Sequence, residues 1–213
     1  MKIFLYLFVI LLTTLSLSAS LKAQDSIPRK DKFYTMSGFG FSFPIGESSE
    51  FMRPKFSTTI GVNLGIGNAG FFFYPKISLH VFGYDNTILN NTYSYNLDRA
   101  RSTTYLLNVA MGYRKIINKF GFYGFVGGGG GFILTPRLAV NSATNQATLN
   151  NRTNHMGIIE PGAGIEYNIG GASLFVESSY MHGIGKVGDK PFNAVPVTIG
   201  IKPNLSRIFK KPK

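Results

Sequence analysis

Between Phe56 and Ile66 the chain alternates. Phe56, Thr58, Ile60, Val62, Leu64 and Ile66 fall on one side of an extended strand, and Ser57, Thr59, Gly61, Asn63 and Gly65 on the other. A period of two marks a β-strand with unlike faces. The turn sequence Gly67-Asn68-Ala69-Gly70 follows, and a second run over 71–81 places Phe71, Phe73, Ile77, Leu79 and Val81 on one side. Together they predict a β-hairpin.

The pattern recurs to the end of the chain. Strands are predicted over about 33–43, 56–66, 71–81, 103–114, 120–134, 155–167, 172–182 and 194–201. The connections between them alternate in length. Those at 44–55, 85–101, 135–154 and 183–193 are long and polar, whereas 67–70, 115–119 and 168–171 are short. Sorting of this kind belongs to barrels that cross a membrane, with long loops on the outer side and short turns on the periplasmic side. The expected fold is therefore all-β: an eight-stranded antiparallel up-and-down transmembrane β-barrel.

Alternation alone does not say which face meets lipid. The small polar faces hold roughly 40 positions but only about five charges, whereas a solvated surface is ~25–35% charged. Aromatic residues also sit at both ends of the apolar faces. Phe33, Phe71, Tyr113 and Tyr167 mark the short-turn end, and Phe43, Phe56, Tyr105 and Tyr180 the long-loop end. Two such rings match interfacial anchoring. The apolar faces are expected to point outward into lipid and the polar faces to line a packed interior.

Composition agrees. The 213 residues include 25 Gly, no Cys and no Trp, with 14% aromatic and 15% charged residues, which suits strands and turns rather than a disordered chain. Lys2, the apolar run 3–17 and the small residues up to Ala23 read as an export signal. The expected organisation is a signal peptide over 1–23, a barrel domain over 24–203 and a basic C-terminal tail over 204–213. Removing Lys2 and Lys22 takes the net charge from +12 to +10. An exported basic chain without a zinc or groove-reading motif gives no sign of binding nucleic acid. With Arg114, Lys202 and the tail counted at the short-turn rim, that rim carries +9, the long loops +3 and the barrel body −2. A basic rim attracts anionic headgroups, although a solvated basic tail accounts for it equally well.

Few residues suggest chemistry. Lys76, Glu160 and Glu177 fall on polar faces near mid-strand, with Arg114 and Glu166 nearer the short-turn end. A small barrel is filled by its own side chains, and isolated buried ions are costly. These five are expected to form an internal ion-pair network of structural rather than catalytic purpose. The run Gly127–Gly131 has no GK[ST] continuation and no following helix, so a nucleotide site is excluded. A β-bulge is expected there, with Phe72, Phe125, Phe175 and Met181 using the free space. His80, His155 and His182 lack metal-ligand spacing. Ser78 and His80 share a face, but an inward one, which disfavours a nucleophile and base acting on lipid. Asn90-Asn91-Thr92 is a glycosylation sequon, relevant only in a eukaryotic secretory route. No cofactor is expected.

Three stretches carry a resemblance: Lys22-Ala23-Gln24 at the end of the signal, Pro161-Gly162-Ala163-Gly164-Ile165-Glu166-Tyr167 before a short turn, and the closing Pro196-Val197-Thr198-Ile199-Gly200-Ile201. With these the chain resembles the small outer-membrane β-barrel proteins of Gram-negative bacteria, of the OmpX and OmpA-domain kind. It is similar in particular to the outer membrane protein beta-barrel and PorT-like families of Bacteroidetes. The resemblance implies residence in the outer membrane, contact with its lipid, insertion by the barrel-assembly machinery and a monomeric state. One feature departs from it. Such barrels end on an aromatic assembly signal, whereas here Lys202, Pro203 and a tail with only Phe209 follow the last strand. The expected role is non-enzymatic, with loops 85–101 and 135–154 meeting a surface partner. Binding or transport of a small apolar ligand through the lumen, and lipid modification, are the alternatives.

Overall fold

A computed structural model describes residues 32–89, 94–141, 146–187 and 190–207. The expected signal at 1–23, the sequon at 90–92 and the tail beyond Arg207 lie outside these residues. Nine strands form one antiparallel sheet: β1 (Phe33–Pro44), β2 (Met52–Ile66), β3 (Phe71–Leu89), β4 (Ser94–Ile117), β5 (Phe120–Asn141), β6 (Gln146–Asn168), β7 (Ala172–Ser179), β8 (Met181–Val187) and β9 (Lys190–Pro203). A single helical turn, α1 (Ser48–Phe51), joins β1 to β2. Each of β1 to β6 pairs with the next; β7 and β8 both pair with β6 and with β9; β9 also pairs with β1.

Nine strands stand where eight were expected because the seventh is interrupted at Tyr180. The register does not change across the interruption: Gly162 faces Ser179 on one side of it and Ile159 faces His182 on the other. Tyr180 donates its N–H to the Pro161 carbonyl at 2.9 Å, and Pro161 has no N–H to return. The ladder loses one bond there for lack of a donor.

The long loops differ from expectation. Much of 85–101 and 135–154 is strand, with Leu89 paired to Ser94 and Asn141 to Gln146, so both are tall hairpins. Likewise 183–193 contributes to β8 and β9, and β2 begins at Met52 inside the expected loop 44–55. The short turn at 115–119 shrinks to Asn118-Lys119, with Asn118 in the left-handed region at φ 56°. Backbone pairing needs no apolar face, so polar segments extend the strands without alternating.

No bulge forms at Gly127–Gly131. Each glycine keeps one partner in β4 and one in β6 without a shift of register. Absence of a side chain is what the curvature requires: a Cβ on Gly129 would lie 2.0 Å from the Leu107 carbonyl oxygen. Irregularities occur instead between Pro54 and Ser57 and between Tyr84 and Asn86.

The two faces of the sheet are opposite in character. Phe39, Phe41, Ile60, Ile77, Leu107, Met111, Val126, Ile165 and Val176 are exposed, while Lys76, Glu160, Glu166, Glu177 and Lys202 are buried. Two apolar clusters occupy the buried face. One lies towards the short turns, around Met36, Phe72, Tyr74, Phe125 and Phe175. The other lies towards the hairpins, around Met52, Phe82, Ile133, Met181 and Phe192. The chain then folds back on its start, for Ser206 Oγ accepts the Phe33 N–H at 2.9 Å and Asn204 bridges Tyr34.

Candidate functional site: a charged layer on the buried face

Alternation directs the charges. Lys76 lies between Tyr74 and Ser78 among the inward positions of β3, Glu160 lies on β6 and Glu177 on β7, and all three are nearly inaccessible. Lys76 Nζ donates to Glu160 Oε1 at 2.7 Å and lies 3.5 Å from Glu177 Oε1. Glu160 also accepts from Ser179 Oγ at 2.6 Å and from the Asn108 amide. Glu177 accepts from the Tyr74 hydroxyl at 3.2 Å and the Tyr123 hydroxyl at 2.9 Å. The Lys76 ammonium also stands 4.7 Å from the centre of the Phe125 ring, a cation–π distance.

A second group lies nearer the short turns. Glu166 stands 3.6 Å from Arg114 Nη1 and 3.3 Å from Lys202 Nζ. Arg114 donates to the Asn63 side-chain oxygen and its guanidinium lies 5.2 Å from the Phe72 ring centre. Lys202 Nζ lies 3.8 Å above the centre of Tyr123. The structure thus brings Lys76, Glu160 and Glu177 together in one group and Arg114 and Glu166 in another, with the tyrosine side chains between them.

Lys202 is a correction to the sequence reading, which placed it at the rim. It is buried at 1% exposure. The signal was present in the parity of β9, where Thr198, Gly200 and Lys202 share the inward side. With Arg114 and Lys202 inside, three cations face three carboxylates, and the buried charges sum to zero rather than −2. The rim falls from +9 to +7 by the same transfer. Tyr74, Tyr123, Asn108 and Ser179 were also missed, since neutral hydrogen-bonding residues leave no charge pattern to follow.

None of this arrangement resembles a reaction centre. The carboxylates are saturated with donors, and among the described residues no group of three His, Asp or Glu is placed to hold a metal ion. Ser78 and His80 are both buried, away from the exposed face. His155 and His182 lie on the exposed side, His182 Nδ1 being 2.8 Å from Asn193 Oδ1.

The chain matches no known protein family and no curated protein by sequence. Solved structures do resemble it. Neisserial surface protein A (NspA) aligns over 81% of this chain and 96% of its own, at 13% identity and a TM-score of 0.57. The fold is that of the outer-membrane β-barrels. Ail, the attachment invasion locus protein of Yersinia pestis, aligns over 81% of this chain and 98% of its own, with 12% identity and a TM-score of 0.43. The N-terminal β-barrel domain of Pseudomonas aeruginosa OprF covers the same shares at 14% identity and a TM-score of 0.41.

Proposed function

We propose that this chain is a monomeric, non-enzymatic barrel of the Gram-negative outer membrane whose two tall hairpins meet a surface partner. The carrying observation is the exposed band. Between the ring of Phe33, Phe71, Tyr113 and Tyr167 and the ring of Phe43, Phe56, Tyr105 and Tyr180, no described residue on the exposed face is charged. Ile60 and Ile77, paired at its centre, are 64% and 63% exposed. Water-soluble monomers do not present so large an apolar surface. The band runs from Tyr105 to Tyr113 on β4 and from Phe33 to Phe43 on β1, in keeping with the ~9–11 residues of a tilted membrane-crossing strand.

In this reading β7 and β8 are one strand bent at Tyr180, the count is eight, and the pairing of β1 with β9 closes the barrel. A signal over 1–23 exports the chain, and the barrel-assembly machinery inserts residues 24–203 with both ends in the periplasm. The family resemblance to PorT-like barrels belongs to the same reading. The filled interior disfavours a diffusion pore, leaving hairpins 85–101 and 135–154 as the surface offered to the outside. The five residues Lys76, Arg114, Glu160, Glu166 and Glu177, joined by Lys202, serve to hold the interior together.

The test is fractionation with heat-modifiable migration. The protein should appear in the outer-membrane fraction and migrate faster unheated than boiled. Replacing 85–99 or 137–150 by a two-residue turn should preserve that behaviour while abolishing surface binding. Recovery as a soluble periplasmic protein overturns the proposal.

A further inference from the structure

Between the charged layer and the hairpin-side apolar cluster lies a row of polar side chains that the rest of the molecule does not use. Ser57, His80 and Thr104 are laterally paired across β2, β3 and β4. All three are at most 2% exposed. The hydroxyls of Ser57 and Thr104 and both ring nitrogens of His80 find no hydrogen-bond partner within the protein, and neither do the hydroxyls of Ser42 and Ser102 one inward step nearer the hairpins. Buried polar groups without partners are rare, and each costs about 1–3 kcal/mol. Five residues on neighbouring strands sharing this condition define a site.

The segment above them is built as a lid. The helical turn α1 folds inward, so that Phe51 and Met52 pack with Phe82, Tyr84 and Phe192. Phe51 meets Tyr84 edge to face at 5.8 Å, and Phe82 meets Phe192 in the same way at 5.8 Å. Three polar contacts fasten it. Ser48 Oγ donates to the Pro191 carbonyl at 3.0 Å and accepts the Asn193 N–H at 2.9 Å, while Lys190 pairs with Glu50 outside. That hydrogen bond to Glu50 raises the Lys190 pKa above its usual value.

We infer that Ser42, Ser57, His80, Ser102 and Thr104 form a lidded binding chamber for small uncharged hydroxylic molecules, water in the absence of any other solute. The chemistry selects the class. Hydroxyls and a neutral imidazole both donate and accept, as water and small alcohols do. The adjacent layer of Lys76 with Glu160 and Glu177 carries one excess negative charge, which repels anions. No carboxylate or thiolate enters the row to hold a metal. The apolar lid excludes ions and bulky solutes, and displacing α1 gives access from the hairpin side. This inference rests on the closed membrane barrel proposed above but not on its surface partner.

The chain has no cysteine, so a single introduced thiol is a clean probe. Thr104→Cys in lipid vesicles, treated with the small neutral reagent methyl methanethiosulfonate, should react slowly, and at least tenfold faster when Phe51→Ala and Phe192→Ala open the lid. Ala110→Cys, beyond the charged layer, should react equally slowly in both backgrounds. Heat-modifiable migration identifies folded samples. In the unaltered barrel, nuclear Overhauser transfer from water to the His80 ring should be seen, and should vanish in Ser57→Ala/Thr104→Val, which keeps the ring. A dry His80, no acceleration at Thr104→Cys, or equal acceleration at Ala110→Cys overturns the inference.

Discussion

Replacing Glu160 by Gln removes one charge and almost no volume, which isolates the electrostatic part of the buried layer. Glu160 receives three donors, from Lys76, Ser179 and Asn108. After Glu160→Gln the Lys76 ammonium retains only Glu177 at 3.5 Å, and one amide group replaces an oxygen acceptor. Breaking a buried pair by removing one partner costs about 3–5 kcal/mol, because the other charge stays buried. The presence of Glu177 sets the expectation at the lower end, about 3 kcal/mol, or roughly a hundredfold in the folding equilibrium. Lys76→Met alone leaves two carboxylates on the buried face and should cost more. The double variant Lys76→Met/Glu160→Gln should cost less than the sum of the single changes, because only Glu177 is then left without its cation, held by the Tyr74 and Tyr123 hydroxyls. The assay is reversible urea unfolding in lipid vesicles, read by heat-modifiable migration. Additive single costs, or an unchanged midpoint for Glu160→Gln, would refute the network.

Other substitutions test the remaining inferences. Ile60→Arg, at the centre of the exposed band, should destabilise the barrel by about 2–4 kcal/mol, whereas Asn63→Asp places a carboxylate beside Arg114 and should be tolerated. Equal loss of vesicle insertion for the two would mean that the faces are inverted. Gly129→Ala should lower the unfolding free energy read from urea titration by about 1–3 kcal/mol through overpacking. Gly128→Ala, whose Cβ would meet its nearest backbone oxygen at 3.3 Å, should cost visibly less. The triple change Lys76→Met/Glu160→Leu/Glu177→Met should keep most of the equilibrium stability but lower the yield of correctly inserted barrel, measured as the heat-modifiable fraction after refolding into vesicles.

Alternation carried the faces of every strand because a face difference is what alternation records. It failed where the sequence carries no difference between faces. The hairpin of Asn86–Leu89 with Ser94–Leu97 pairs through its backbone, and its polar sequence reads as a loop. The same failure shortened β2, whose first residues precede a bulge between Pro54 and Ser57 that resets the parity. Phe51 and Met52 went unrecognised as a lid because isolated apolar residues beside a turn have no period. The glycine run was misjudged for the opposite reason. Five glycines suggested a slipped register, whereas the ladder runs on unbroken and the missing side chains leave room for the β4 carbonyls. Lys202 was counted with the short-turn rim instead of the strand that contains it.

The buried charges need a reason beyond stability, since apolar side chains of similar volume commonly pack as well as a buried ion pair. In a strand that crosses lipid the reason is the choice of face. Slipping by one residue exchanges the two faces of a strand. If both faces were apolar, the exchange would cost little, because lipid accepts either. With Lys76, Arg114, Glu160, Glu166, Glu177 and Lys202 on one face, the slipped strand would carry ions into hydrocarbon, where a single charge costs ~2.5–3.5 kcal/mol at a helix centre. The charged face is therefore the one that must turn inward, and pairing each cation with a carboxylate makes inward burial tolerable. Zero net charge on that face follows from the same requirement. An odd ion would penalise the correct orientation as well as the wrong one, and the position of Lys202 opposite Glu166 removes it.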